Sequence, residues 1–151
     1  MRTFLLKDKI PICKWGQLPP NTYFIGNIPN GYTLAASPSS PYIVLDVDKK
    51  EGKNGFDYID INVLNELNKT FNYTTKHGGR HFWLKYTGNK SLVNRATPYG
   101  IDLRTEKGYV AFYSKRDIRD CIPEMKETNL TINNFLEEFF THEIRDRYRG
   151  K

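Results

Sequence analysis

Two aspartates at the end of an apolar strand are the first residues in the sequence that could do chemistry. Asp46 and Asp48 close the segment 42–48, which is rich in β-branched and apolar residues. Because side chains alternate along a strand, both carboxylates lie on one face, with α-carbons roughly 7 Å apart. Like charges beside apolar residues repel each other unless a cation compensates them, and carboxylate oxygens suit Mg²⁺ or Mn²⁺. The pair predicts a divalent-metal site, although two solvated carboxylates at a strand end would give the same pattern.

A glycine turn with basic neighbours follows about one helix later, in the segment 74–81 (TTKHGGRH). Glycines let the backbone approach a phosphate closely and point N–H groups at its oxygens, and cationic side chains strengthen such a site. The candidates for nucleotide binding here are Lys76, Gly78, Gly79, Arg80 and His81. An ordinary hairpin turn with solvated polar residues is the alternative, and of the two histidines His77 is the one expected to be exposed or structural.

A third acidic residue lies in the segment 100–104 (GIDLR). Strand alternation directs Ile101 and Leu103 into the core and places Asp102 with Arg104 on the opposite face. If that face also carries the two strand-end aspartates, a third carboxylate and a guanidinium join the site. The alternative is an exposed Asp–Arg pair at a sheet edge, which would contribute little to stability.

The elements that must position these segments form a predicted α+β fold, a mostly antiparallel sheet with helices packed on one face. Strands are expected at 42–48, 71–76, 81–86, 101–105 and 108–113, with a Gly-Gly turn between the second and third and Lys107-Gly108 near the turn between the last two. Trp83 and Lys85 alternate with His81 and could share its face, offering stacking and phosphate contact, or Trp83 could pack under the sheet.

Helical spacing of apolar residues appears in two segments, 56–69 and about 131–148, and Thr131 is a possible cap of the second. The first 41 residues are loop-rich because prolines interrupt their short apolar runs, with a possible strand at 32–36. The expected organisation is therefore a single catalytic domain over 1–151, made of this loop-rich part, a catalytic sheet over 42–114 and a C-terminal helix.

Composition narrows the class of protein. The chain has 151 residues, 38% hydrophobic and 26% charged, which is typical of a folded protein and not of a disordered one. No stretch approaches the roughly 20 apolar residues of a membrane span, and charged residues come too early for a secretion signal. Cys13 and Cys121 lack CxxC spacing, so reduced thiols in a cytosol are expected. The net charge of +6 favours a polyanionic partner such as DNA.

In their order and spacing, the three segments resemble the archaeo-eukaryotic primase superfamily. Within it they are similar to the bifunctional primase–polymerase domains of plasmid and phage replication proteins. The resemblance extends from about residue 14 to about residue 114. It implies an RNA-recognition-motif-like sheet whose open face holds the active site.

The resemblance also implies roles for particular residues. Asp46, Asp48 and Asp102 match the acids that hold the catalytic Mg²⁺ or Mn²⁺, and His81 matches the histidine that contacts the phosphates of the incoming nucleotide. Gly79, Arg80 and Arg104 lie where further nucleotide contacts are expected. One departure concerns the segment 107–114 (KGYVAFYS), where family members often carry a Pro-Pro-Ser after the strand. Loss of these prolines changes the loop there and bears on nucleotide selectivity.

The implied activity is template-directed nucleotidyl transfer, as a DNA polymerase, a primase or both, in plasmid or phage replication. The implied partners are a DNA template and primer and nucleoside triphosphates, with a helicase or helical accessory domain in the parent protein. The implied location is the cytoplasm of a bacterial or archaeal host, with no membrane association. Two alternatives use the same residues: a metal-dependent nuclease or other nucleotidyltransferase, and a non-catalytic module that binds single-stranded DNA.

Overall fold

The computed structural model of the protein describes residues 1–50 and 52–141. Its strands in chain order are β1 (Arg2–Lys7), β2 (Ile10–Pro11), β3 (Tyr32–Ser37), β4 (Tyr42–Val47), β5 (Lys49–Lys50), β6 (Lys53–Asn54), β7 (Asn72–Thr74), β8 (Arg80–Lys85), β9 (Arg95–Ala96), β10 (Ile101–Arg104) and β11 (Val110–Ala111). Its α-helices are α1 (Ile61–Leu67), α2 (Ile118–Cys121) and α3 (Leu130–Phe140). The predicted α+β class with mostly antiparallel strands is confirmed.

The main sheet has the strand order β7-β8-β4-β10-β9, with every named pair antiparallel. The central strand β4 is the apolar segment that ends in the two aspartates. Its register places Asp46 opposite His81 of β8 on one side and opposite Asp102 of β10 on the other. Three functional side chains from distant parts of the sequence therefore form one row across neighbouring strands.

The two faces of this sheet have different cores. One face packs against α1 and α3, and its central residues Ile43, Leu45 and Val47 are buried with Val63 of α1 and Leu136 of α3. The predicted packing of helices on one face of the sheet is confirmed for α1 and α3. The other face, which carries the row of functional side chains, packs for part of its length against a second sheet and the short helix α2.

That second sheet adds β1 to the segment 1–41, which is loop-rich as predicted over 12–31, and it contains the strand predicted at 32–36 as β3. It has the order β11-β3-β1-β2, and β1 pairs with β3 along its whole length. Residues Thr3 to Leu6 of β1 are all buried, so this strand is covered on both faces and lacks an alternating pattern. The prolines begin only at Pro11, after β1 has ended, which leaves its backbone N–H groups available for pairing.

The prediction of a hairpin from 101–105 to 108–113 is wrong. Strand β10 pairs with β4 and β9 in the main sheet, whereas β11 pairs with β3 in the second sheet. A turn closed by the hydrogen bond from the Gly108 N–H to the Thr105 carbonyl carries the chain between the two sheets. The strands of the predicted catalytic sheet over 42–114 are therefore divided between two sheets.

Both predicted helices have different boundaries. In the segment 56–69, a 3₁₀ turn at Gly55–Tyr58 precedes α1, and Asp60 caps α1 by accepting from the Asn62 N–H. Helix α3 is capped by Asn129, not Thr131, and ends at Phe140 because Thr141 is extended. The rest of the helix predicted to residue 148 lies outside the described residues. No helix among residues 1–50 and 52–141 has the length and apolar character to cross a membrane.

Candidate active site

Three carboxylates converge at one end of the main sheet. Asp46 is on β4, Asp102 is on β10, and Asp48 comes one residue after β4 ends. Each offers a carboxylate oxygen, and these oxygens lie within 4.8 Å of one another. Along the same face of β4, Val44 is buried beneath the second sheet, whereas Asp46 lines a cavity. The structure thus brings together the acids that the sequence placed in two separate segments.

Asp48 is held by its backbone, since it lies beyond the ladder of β4. Its N–H donates to the Gly100 carbonyl at 2.8 Å, and its carbonyl accepts from the Gly55 N–H at 2.9 Å. The two glycines pack closely, because a Cβ on Gly55 would lie 2.3 Å from the Gly100 oxygen. Gly100 also has a φ of +78°, which favours glycine. Sequence reasoning missed the role of Gly55, because this role depends on contact with a distant part of the chain.

The Gly-Gly turn presses against the end of β4. A Cβ on Gly79 would lie 2.3 Å from the Val47 carbonyl oxygen and 3.3 Å from the Asp48 Cα. Gly78 has a φ of +86°, and its N–H donates to the Thr75 carbonyl, so this N–H is used inside the turn and not for a ligand. The predicted turn between β7 and β8 is confirmed, and it seats the loop directly beside Asp48.

A hydrogen bond to Tyr73 fixes the position of the buried His81 side chain. It is only 4% exposed, and its Nδ1 lies 2.9 Å from the Tyr73 hydroxyl. The same hydroxyl oxygen accepts from the Trp83 indole N–H at 3.1 Å. Burial raises the pKa of the Tyr73 phenol well above its ordinary value, so the phenol keeps its proton. Donation of that proton to Nδ1 places the histidine N–H on Nε2, which lies 3.3 Å from Asp46 Oδ1.

Because the three carboxylates are close together and partly buried, it is unfavourable for all of them to be ionised at once. Burial, followed by the charges of Asp46 and Asp102, raises the pKa of Asp48 to about 6. Burial also raises the pKa of Asp102, against the opposing effect of Arg104, whose guanidinium lies 3.4 Å away. Lys50 is 3.9 Å from Asp48. A cation placed among the three acids would relieve this repulsion.

The donor set fits a divalent cation of the Mg²⁺ or Mn²⁺ kind. All three side chains offer oxygen ligands, which such ions prefer. In the described part of the chain, the buried Asp46 Oδ1 receives no hydrogen bond, because His81 reaches it at ion-pair distance without hydrogen-bond alignment. A buried carboxylate oxygen without a donor is costly, and coordination of a cation would satisfy it.

A cavity of about 240 Å³ opens over Asp46 and Asp48. One side is basic, formed by the exposed residues Lys49, Lys50, Lys76 and His77. His77, expected to be exposed or structural, is thus exposed and also lines the cavity. The other side comes from Arg104 and from the segment around β11, which adds Tyr109 and Tyr113. The cavity therefore combines an acidic floor, a basic side and an aromatic side.

Some of the predicted side chains are not brought to this cavity. Arg80 points to the helix-bearing face of the sheet, where it donates to Asn72 at 2.6 Å and Thr74 at 3.0 Å. Trp83 is 0% exposed in the core between the sheets, so it packs under the sheet and offers no stacking surface. Lys85 lies at the far end of β8, 3.8 Å from Glu127.

Tyr73 is a further residue that sequence reasoning missed. In the β7–β8 hairpin it is directly opposite His81. The Gly-Gly turn already fixed the approximate register of this hairpin, so the facing residue could have been identified from the sequence. Lys49 and Lys50 could not be assigned in this way, because they reach the cavity through the separate β5–β6 hairpin.

The fold and site define a class of protein: a mostly antiparallel α+β domain with a three-carboxylate centre beside a basic turn. Comparison with known families then identifies this domain. The family described as bifunctional DNA primase/polymerase, N-terminal (Prim-Pol), matches residues 7–120, and the chain belongs to this family. The matched segment contains all three acids and His81. No curated protein matches the chain.

The raised pKa of Asp48 predicts an unusual pH dependence for the metal-free protein. Because the folded state binds this proton more tightly than the unfolded state, the free energy of unfolding falls as pH rises from 3.8 to about 6. We expect a loss of about 1 kcal/mol, less than the full linkage value because Asp48 is partly accessible to solvent. Urea unfolding in EDTA between pH 4 and pH 7 measures this loss. Asp48→Asn should flatten the slope, and an unchanged slope in this variant would contradict the assignment.

Proposed function

We propose that this protein catalyses template-directed nucleotidyl transfer, joining nucleotides from nucleoside triphosphates to a DNA primer. The observation that carries the proposal is the convergence of Asp46, Asp48 and Asp102 beside a basic cavity, in a chain that belongs to the Prim-Pol family. An acidic floor alone would repel a triphosphate. Together with basic side chains, it suits an anionic substrate that arrives with divalent cations.

In the proposed site, Asp46, Asp48 and Asp102 hold Mg²⁺ or Mn²⁺. When bound, such ions lower the pKa of an attacking hydroxyl and neutralise charge on the leaving pyrophosphate. The unsatisfied Asp46 Oδ1 and the raised pKa of Asp48 support this assignment, since a bound cation would satisfy the first and relieve the repulsion that contributes to the second. His81 orients Asp46 from the protein side and, through Tyr73, is fixed in one rotamer.

The triphosphate is proposed to lie on the basic side of the cavity. Lys76 and His77 of the β7–β8 turn and Lys49 and Lys50 of the β5–β6 hairpin provide the cationic groups there. Arg104 would approach from the other side. Gly78 and Gly79 contribute by shaping the turn. The Gly78 N–H is already bonded to the Thr75 carbonyl and does not donate to a phosphate. Arg80 is left out of the proposed site because it is committed to Asn72 and Thr74 on the opposite face.

The proposed partners are a DNA template and primer, with a helicase or helical accessory domain in the parent protein. The net charge of +6 supports an anionic partner. Plasmid or phage replication is the proposed setting, and residues 1–151 are proposed to act as one catalytic domain. We expect extension of an existing primer before synthesis of a new one, because a new primer starts from two free nucleotides without an annealed 3′ end to position the attacking hydroxyl.

Extension of a labelled primer on a template tests the proposal. With dNTPs and Mg²⁺ or Mn²⁺, we expect products longer than the primer, and none in EDTA. Products shorter than the primer would instead indicate the nuclease alternative. Binding of single-stranded DNA with no change in primer length, under any of these metal conditions, would indicate the non-catalytic binding module.

A further inference from the structure

The segment after β11 places an aromatic side chain at the edge of the cavity. Tyr113 follows β11 in the sequence VAFYS. Its side chain is 41% exposed and lines the cavity above the acids. Its ring centroid lies 6.2 Å from that of His81, at an interplanar angle of 35°. A large aromatic face is therefore presented to the cavity next to the row of functional side chains.

The two tyrosines on this side of the cavity have different surroundings. Tyr109 is half-buried, and its ring is fixed edge-to-face against Phe4 and Trp15, each at 5.5 Å. Tyr113 is the more exposed ring, and its hydroxyl makes no hydrogen bond among the residues that the structure describes. Tyr109 therefore belongs to the packing of the second sheet, whereas Tyr113 has an aromatic face available to a ligand.

The lysines and the tyrosines of the cavity come from different sheets. Its lysines, Lys49, Lys50 and Lys76, come from the two hairpins beside the end of β4, whereas its tyrosines come from the segment around β11 of the second sheet, on the side that also carries Arg104. A nucleoside triphosphate has the same division, with an anionic chain at one end and a flat base at the other. Aromatic side chains stack on bases of any sequence because every base presents a π-face.

We propose that Tyr113 stacks on the base of the incoming nucleotide and so is a substrate-positioning residue. This inference rests on the proposed function, because it assumes that the cavity takes a nucleoside triphosphate. It assigns the nucleoside to the second-sheet side of the cavity and the phosphates to the lysine side.

Calorimetric binding of a dNTP and of inorganic tripolyphosphate, each with Mn²⁺, tests the proposal on the full chain. Tyr113→Ala should weaken dNTP binding about 10-fold or more, the range expected for loss of one stacked base. Binding of tripolyphosphate should stay within about twofold, because this ligand has no base to stack. Tyr113→Phe keeps the aromatic face and should bind both ligands like the wild type.

Three outcomes would overturn the inference. Equal dNTP affinity in wild type and Tyr113→Ala would remove Tyr113 from the nucleotide site while leaving the proposed function intact. An equal loss of dNTP and tripolyphosphate binding would show that Tyr113 only maintains the shape of the cavity. A wild-type chain that binds tripolyphosphate and no dNTP would contradict the proposed function itself, and the stacking role with it.

Discussion

Replacing Asp46 and Asp48 together by asparagine is expected to reduce primer extension to background. The double variant keeps the shape of both side chains but removes two of the three carboxylates that lie within 4.8 Å of one another. We expect a loss of at least about 10³-fold, since even outer-shell partners of a metal site contribute about 10- to 100-fold. The measurement is the rate of single-nucleotide addition to a primer with Mg²⁺ or Mn²⁺, alongside Mn²⁺ binding by calorimetry.

The matched control is Asp57→Asn with Glu138→Gln. Both of these residues are exposed and lie outside the acidic cluster, so this variant makes the same change in net charge without touching the site. It should extend the primer at the wild-type rate. Circular dichroism and thermal unfolding in EDTA establish that the asparagine variant folds. We expect it to be at least as stable as the metal-free wild type, because it relieves like-charge repulsion. A folded asparagine variant with wild-type addition rates would contradict the assignment of the metal site.

Gly79→Ala is the second change with a large expected effect. The added Cβ would lie 2.3 Å from the Val47 carbonyl oxygen and 2.9 Å from the Thr75 Oγ1. Since the first of these atoms is backbone, the turn or the end of β4 must move, and Asp48 is the next residue. Displacement of a reacting group by about 1 Å costs about 10²-fold in rate. We expect that loss in primer extension, together with a destabilisation of about 1–3 kcal/mol from overpacking.

Gly16→Ala is the control for the added methyl group, because among the described residues no atom beyond the two chain neighbours lies within 4 Å of a Cβ at that position. Its stability should stay within about 0.5 kcal/mol of the wild type, with unchanged extension. Urea unfolding and single-nucleotide addition measure both quantities for the two variants. Wild-type stability and rate in Gly79→Ala would show that the turn can move away from β4 without disturbing Asp48.

Much of the candidate site could be predicted from the sequence because it depends on local geometry. Alternation along a strand fixes which neighbours share a face, and this gave the common face of Asp46 and Asp48 and that of Asp102 and Arg104. The Gly-Gly turn was likewise readable, since two adjacent glycines between apolar segments are typical of a tight hairpin. These features need only a few consecutive residues, and the structure retains them.

Other parts of the site could not be assigned because they depend on which strands pair. Arg80 follows the predicted turn, but its position in β8 directs it to the helix-bearing face, with Phe82 and Leu84. Trp83 lies on the same face of β8 as His81, yet it is buried because the second sheet covers that part of the face. The strand at 108–113 was predicted, but its pairing with β3 in a second sheet was not. Strand β1 was missed because its buried residues do not alternate with exposed ones.

The sequence by itself determined the chemical groups of this protein, the direction of each within its own strand, and the Prim-Pol resemblance that the family match confirms. Tertiary structure decided that β10 lies beside β4, which sets Asp102 opposite Asp46. It also decided that β11 leaves the main sheet, which brings Tyr113 over His81. The physical reason is that alternation and turns are set by neighbouring residues, whereas strand partners are chosen by burial of apolar surface contributed by the whole chain.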